Sequence, residues 1–558
     1  MTDCIQTKKS NCKNCHKCIR ECPVKAIRFQ DNQAYILKSE CIMCGKCYTA
    51  CPQHAKVIRD DLQTVKDLVK SGVPVYASVA PAFVADFKGV NITELEKALK
   101  KLGFAGAGET AVGATIVKDE YERILRENDR EVVISSCCHS VNTLIQKYYP
   151  NALQYLAKVL SPMQAHCTRI KEMHPEAKTV FIGPCVAKKD EADLYPGIVD
   201  GVLTFIELKR WMDEEGVTAM PTYEKDNGGR ARLFPTTGGI LRTMATKPEN
   251  YSYMAIDGVE NCMAALEDVI SGKITKCFIE MSACPGSCVG GPAMNKHTNR
   301  PVEEFLAVDR YADDNDFDTE PMTSEQLKKD VDFINTKRQM PGERAIAEIL
   351  RKMGKTRPED ELNCGSCGYN TCREKAVAVY FGKASITMCL PYLIQKVESF
   401  SDTIIKNTPN GIMVLSEDLT IQQINSSARR IMNIARVQDV IGEPVVRILD
   451  PLPYMQVLSS GVNVHDKRIY LAEYDKYVEE TILYDKSYNI LISIMRDVTA
   501  EEQEKEQKEK MGRNTVEIAD KVIEKQMRVV QEIASLLGET TAETKIALTK
   551  LKESLSDE

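Results

Sequence analysis

Short apolar runs rich in β-branched residues punctuate the first 345 residues, and each breaks at small residues or at Gly and Pro. "EVVISS" leads into Cys137 and Cys138, "KTVFIGP" leads into Cys185, and "FIEMSACPGSCVGGP" carries Cys284 and Cys288. Runs of this kind predict strands whose ends deliver side chains onto loops, where α/β folds place their sites. After residue 397 the pattern changes to alternating strands. "NGIMVLSEDLTIQQINSSARRIM" reads strand, turn, strand, helix, and "ETILYDKSYNILISIMRDVTAEEQ" reads two strands leading into a charged helix. Apolar positions at three-and-four spacing then mark helices: Ile523, Met527, Val530, Ala534 and Leu537, followed by Leu548, Leu551 and Leu555. Gly538 is placed to stop the first helix, and Thr540 with Glu543 forms a capping box that starts a second.

At 558 residues the chain exceeds a single core and should divide into roughly three to five domains. Its 43% hydrophobic and 27% charged residues and net charge of -7 describe an ordinary globular protein without the basic excess that nucleic acid demands. No run of 18 apolar residues and no secretory signal pattern stands in "MTDCIQTKKSNCKNC", so no membrane partner and a cytoplasmic location are expected.

The 21 cysteines change the picture, since in a reducing cytosol they point to metal or cluster ligation rather than disulfides. Cys12, Cys15, Cys18 and Cys22 before Pro23 spell C-x2-C-x2-C-x3-C-P, and Cys41, Cys44, Cys47 and Cys51 before Pro52 repeat it. This is the two-cluster ferredoxin run, in which the fourth cysteine of each run ligates the other 4Fe-4S cluster. Zinc would need four ligands in two separated pairs and has no use for the third close cysteine. Cys364, Cys367, Cys372 and Cys389 make a further set, with "REKAVAVYFGKASITMC" read as helix; by count it suits zinc and 4Fe-4S equally. Cys4, Cys167, Cys262 and Cys277 have no assigned role.

The stretches SSCCHSV, GPCVAKKDE and EMSACPGSCVGGP, together with "ASVAPAFVADF", "LGFAGAGETAVGA" and "LSPMQ", resemble the signature segments of the FeFe-hydrogenases. That family's active site, the H-cluster, is a 4Fe-4S cube joined through one cysteine to a two-iron unit carrying CO, CN and a dithiolate. The resemblance implies that Cys138, Cys185, Cys284 and Cys288 ligate the cube, with Cys288 bridging. It further implies that Lys188 donates to a cyanide, that Glu191 steadies its loop, that Ala80 and Pro81 line the pocket, and that Cys137 passes a proton to and from the dithiolate amine. Asp119, Glu122 and Arg126, on one predicted helix face, match the rest of the family's proton path.

The chain departs from the family where Gly183 and Ser282 replace methionines against the two-iron unit, which should open space or admit water. Ala157 stands at the relay serine, His139 and Ser140 follow the paired cysteines, Met163 replaces a pocket glutamine, and Pro292 ends the glycine triplet. A slow turnover is expected.

The third cysteine set resembles an extra cluster module of redox proteins, which tilts it toward 4Fe-4S. The segment from 397 resembles a PAS domain, with Asn425 before its first helix and "RDVTAEE" at its exit; His465 is its single histidine and no haem or flavin adduct is expected. The expected architecture is therefore multidomain, α+β and α/β. It comprises a ferredoxin-like two-cluster domain (1–65), a two-lobed α/β hydrogenase domain (66–345), a small Fe-S domain (346–396), a PAS α+β domain (397–500) and C-terminal helices (501–558) that dimerise as a stalk. The arrangement resembles the family's sensory branch: H2 and protons are turned over, and a signal leaves through a homodimeric stalk to a separate kinase or phosphatase. The alternatives are a metabolic enzyme exchanging electrons with a ferredoxin-like carrier, and a non-enzymatic Fe-S assembly protein.

Overall fold

A computed structural model of the chain describes residues 3–222, 229–294, 301–336 and 339–554. It divides between Leu393 and Ile394 into two units.

In the first unit the N-terminal segment forms two small antiparallel ladders, Ile5–Thr7 with Lys56–Ile58 and Ile27–Gln30 with Gln33–Ile36. Two one-turn helices, Lys17–Glu21 and Lys46–Ala50, each begin beside a cysteine run. The next domain holds two parallel sheets. One has four strands in the order Gly106–Glu109, Val75–Val79, Lys178–Gly183, Gly201–Thr204; the other has three, Ser252–Asp257, Cys277–Ser282, Val132–Ile134. The strand Lys178–Gly183 ends two residues before Cys185, and Val132–Ile134 and Cys277–Ser282 end just before Cys137 and Cys284. Strands buried on both faces read as continuous apolar runs, as in the burial of Val132, Val133 and Ile134.

The N-terminal segment is fastened to these sheets by buried side chains. Lys147 Nζ donates to Cys41 O at 2.7 Å, Tyr148 Oη donates to Glu40 O at 2.6 Å, and Arg59 pairs with Asp193 at 2.6 Å.

The third cysteine segment packs Ala376 of the helix Cys372–Tyr380 against Ile346, Leu350 and Met353. The helix Glu343–Lys352 thus belongs with this segment. The helix read across 373–389 stops at Tyr380, because Gly382 turns the backbone left-handed at φ +67; the 3-10 turn Ile386–Met388 follows.

The second unit contains a five-stranded antiparallel sheet. Counting strands along the chain, Gly411–Ser416, Ile421–Ile424, Val464–Leu471, Lys476–Asp485 and Ile490–Asp497, the order across the sheet is 2-1-5-4-3. Asn425 fixes its first crossover: Oδ1 accepts from Ile412 N and Ala428 N, and Nδ2 donates to Ile405 O and Asn410 O, all at 2.8 to 2.9 Å. His465 is exposed.

The expected break at Gly538 does not occur. One helix runs from Thr499 to Ser554, 56 residues. A helical glycine costs only about 1 kcal/mol against alanine, too little to stop a helix flanked by good helix formers, and Thr540 therefore starts nothing. Ile523, Met527, Val530, Leu537 and Leu548 are exposed along it. Leu555 lies outside the described residues, as do the side chains of Thr540 and Leu551.

Candidate active site

A cavity of about 100 Å³ lies between the two parallel sheets of the first unit, lined by Ala80, Pro81, Cys137, Cys138, Lys188, Ser282 and Cys288. The three distant loops meet here. Cys284 feels the charges of Cys185, Cys138 and Cys288, and burial, reinforced by these neighbours, pushes its thiol well up. Burial and the neighbouring Cys138 likewise push Cys185 up to about 11. Thiols raised in this way stay protonated until a cation displaces the protons. Among the described residues no three His, Cys, Asp or Glu close on a single metal ion. Soft sulfur donors set around a wider volume fit an iron-sulfur cage.

The N-terminal cysteines separate into two sets in which the fourth members are exchanged. Cys12, Cys15, Cys18 and Cys51 line one pocket. Cys22 instead acts on Cys41, Cys44 and Cys47. Cys364, Cys367, Cys372 and Cys389 line a third pocket with Tyr369 and Lys375.

Lys188 sits on the cavity wall, its Nζ donating to Cys137 O at 3.2 Å and pairing with Glu191. Glu191 is fully buried and its other oxygen takes Lys329, which is 2% exposed and lies 4.6 Å over the Tyr195 ring. Burial would raise the Glu191 carboxyl, but the two ammoniums hold it far below the usual range. One carboxylate shared by two ammoniums leaves a net positive charge in the wall, suited to an anionic ligand.

Cys137 is buried, which pushes its thiol up to about 12 against the Tyr121 hydroxyl bonded to it. The thiol is therefore neutral at ordinary pH. Tyr121 Oη stands 3.3 Å from Cys137 Sγ and 3.1 Å from Ser136 Oγ. Glu280 also lines the cavity, with Gly238 N and Leu241 N donating to it at 3.0 and 3.1 Å; burial pushes its carboxyl up to about 7 against those bonds.

The three residues matched to the family's proton path do share the helix Thr110–Glu127. Asp119, however, is exposed and pairs with the buried Lys118, Glu122 accepts from Ala245 N at 2.7 Å, and Arg126 Nε donates to Glu122 O. The side chain this helix places on Cys137 is Tyr121. Tyr121, Glu280 and Lys329 were given no role from sequence. Glu280 carried a signal, as a carboxylate inside the apolar strand "CFIEMS"; Lys329 carried none.

The departures also have places. A side-chain carbon on Gly183 would meet the Phe181 ring at 2.7 Å, so Phe181 occupies the volume that the glycine was expected to leave open. Ser282 and Met163 line the cavity. Ala157 is fully buried beside Tyr121, Val159 and Leu160. His139 Nε2 and Asp190 Oδ2 are 3.1 Å apart, and Ser140 is buried. Pro292 presses on Gly45, where a Cβ would lie 2.6 Å away.

Residues 73–292 match the protein-family model of the iron only hydrogenase large subunit, C-terminal domain. That segment is similar to the iron-only, or FeFe, hydrogenases. Residues 4–52 match a 4Fe-4S dicluster domain, and residues 360–391 match a model for an Fe-S cluster segment. Among curated relatives, the periplasmic [Fe] hydrogenase large subunit of Nitratidesulfovibrio vulgaris is 26% identical over 41% of this chain and 68% of its own length. Iron hydrogenase 1 of Clostridium pasteurianum is 27% identical over 40% of this chain and 49% of its own; the chain thus spans about half the length of that relative. A solved FeFe-hydrogenase variant from Chlamydomonas reinhardtii is 18% identical, covering 50% of this chain and 100% of that one at a TM-score of 0.41. These relatives support a hydrogenase-type activity, and the matched segments include iron-sulfur domains.

Proposed function

We propose that this chain is a sensory hydrogenase, in which slow H2 oxidation and proton reduction report H2 or redox state to a PAS-type second unit. The observation that carries the reading is the cavity lined by Cys137, Cys138, Lys188 and Cys288, with Cys185 and Cys284 as near neighbours of those cysteines. The cysteine quartet would hold the cube, Cys288 bridging to the two-iron unit, and Lys188 would hold a cyanide. When bound, the H-cluster supplies the iron at which H2 is split or formed.

The protein's own work is to move protons and exclude water. Cys137, neutral as a thiol, would give up its proton to the cavity and then take one back. Tyr121 keeps its thiol oriented, and Glu280, poised near neutrality, exchanges protons readily in either direction. The Glu191 carboxylate fixes Lys188 toward the Cys137 loop, and Lys329 keeps that corner positive. Ala157 offers no hydroxyl to a relay, which supports slow turnover.

The sensory part rests on what accompanies the cavity. The 2-1-5-4-3 sheet with Asn425 at its first crossover fits a PAS domain, and the exposed apolar positions of Thr499–Ser554 fit a helical stalk pairing with a second copy. A homodimer in the cytoplasm would then address a separate kinase or phosphatase, with a ferredoxin-like carrier as an electron partner. The test is infrared spectroscopy under H2 of protein given a complete two-iron unit, together with turnover assays. CO and CN bands that respond to H2, with low rates, are expected; rates typical of bulk metabolism would overturn the sensor reading.

A further inference from the structure

The cysteine sets of the first unit stand in a definite order. Gly45, the residue after Cys44, packs against Pro292 of the loop that carries Cys288, so the Cys22, Cys41, Cys44, Cys47 set is the inner one, next to the cavity. The third segment is docked on the N-terminal domain by specific bonds. Lys25 Nζ donates to Ile19 O, Arg20 O and Gly368 O at 3.0 to 3.2 Å. Phe29 N donates to Lys383 O at 2.7 Å, and Lys383 pairs with Glu40, the neighbour of Cys41. At Gly368, φ +92, an added Cβ would lie 3.0 Å from Ile19 Cβ, so the approach is as close as glycine permits.

Tyr369 follows. It is 3% exposed, shares a core with Cys22, Cys41 and Cys47, and lines the pocket of Cys364, Cys367, Cys372 and Cys389. Its buried hydroxyl has no hydrogen-bond partner within the protein. A buried hydroxyl left bare beside thiolates is a donor awaiting a sulfur acceptor.

We infer that Tyr369 couples the third cysteine set to the inner set, which makes the inner set a branch point. An electron arriving there leaves either to the outer set (Cys12, Cys15, Cys18, Cys51) or, past Tyr369, to the third set without crossing the outer one. This rests on the reading that all three sets hold 4Fe-4S clusters. Each H2 oxidised in the cavity releases two protons and two electrons; each electron reduces the inner set by one and leaves it re-oxidised on passing to the third. Lys375, 1% exposed and lining the third pocket, donates to Ser385 O at 2.6 Å. Its charge favours the more negative, reduced form of that set and so draws electrons toward it.

The test uses full-length protein reconstituted with iron and sulfide and reduced stepwise with dithionite, followed by EPR. In Cys15→Ser, which removes an outer ligand, the third-set signal should keep the magnetic splitting imposed by the reduced inner set. In Tyr369→Leu the midpoint potentials of the inner and third sets should both fall while that of the outer set stays. Loss of the splitting in Cys15→Ser, or unchanged inner and third potentials in Tyr369→Leu, would overturn the branch. Should Cys15→Ser not fold, Lys375→Met serves: the third potential should fall and the inner signal should sharpen at intermediate potentials, whereas a change in the outer signal instead would refute the order. Zinc in the Cys364 set would appear in metal analysis before any EPR and would sink the cluster reading itself.

Discussion

The N-terminal domain and the cavity domain both gather cysteines, but by opposite means. In the first, eight cysteines come from two runs of about ten residues, and Cys22 and Cys51 are exchanged between the sets. In the second, four ligands arrive from three strand ends, from Cys138 to Cys288. The local design gets its geometry from spacing and from the clusters themselves. The dispersed design needs two parallel sheets already folded, and surrounds its ligands with charges that must be satisfied without water. Damage to the first should stay local, and damage to the second should spread.

The sharpest break of that contrast is Cys288→Ser set against Cys15→Ser. Cys288→Ser should abolish H2 turnover and the CO and CN bands, while Cys15→Ser should lose about one cluster's iron and leave those bands in place; iron analysis with infrared spectra checks both. Next is Lys329→Met, which leaves buried Glu191 with one ammonium. Removing one member of such a network costs about 3 to 5 kcal/mol, read as a lower midpoint in denaturant for the first unit alone. Glu280 gives a pH test. Its folded pKa, near 7, lies above the ordinary value, so its contribution to stability is complete below about pH 4.5 and is lost as pH rises through 7. Glu280→Gln should remove a stability difference of roughly 3 kcal/mol between those pH values. In the second unit, Asn425→Ala strips four hydrogen bonds from one crossover and should cost about 1 to 3 kcal/mol there, without changing the cavity's infrared bands. The smallest effect is Gly538→Ala, which should strengthen the C-terminal helix by about 1 kcal/mol, visible as helicity in circular dichroism.

The same contrast explains what could be read in advance. Cysteine spacing announces the N-terminal sets because the ligands are neighbours in the chain. The strands before Cys137, Cys185 and Cys284 were legible as β-branched runs, and Asn425 through the PAS resemblance as the asparagine before the first helix. The proton groups were not. Charges on "IVKDEYERILREN" drew the reading to Asp119, Glu122 and Arg126, but the helix face turned to Cys137 presents Tyr121, a position that reads as ordinary core. Lys329 meets Glu191 across 138 residues, and no local pattern encodes such a meeting. Gly183 misled for a related reason, since the compensating Phe181 stands two residues away on the same face of a strand. Gly538 misled because a stop signal acts only where packing or a competing cap supports it.

The bare α-carbon of Gly45 has a quieter consequence. Pro292 rests where a side chain would stand, so the loop carrying Cys288 and the turn after Cys44 touch through hydrogen atoms alone. Electron tunnelling weakens steeply with every added bit of separation. On the proposed path, a single methyl group at that spot would wedge the two segments apart and slow transfer between them while leaving every cysteine in place.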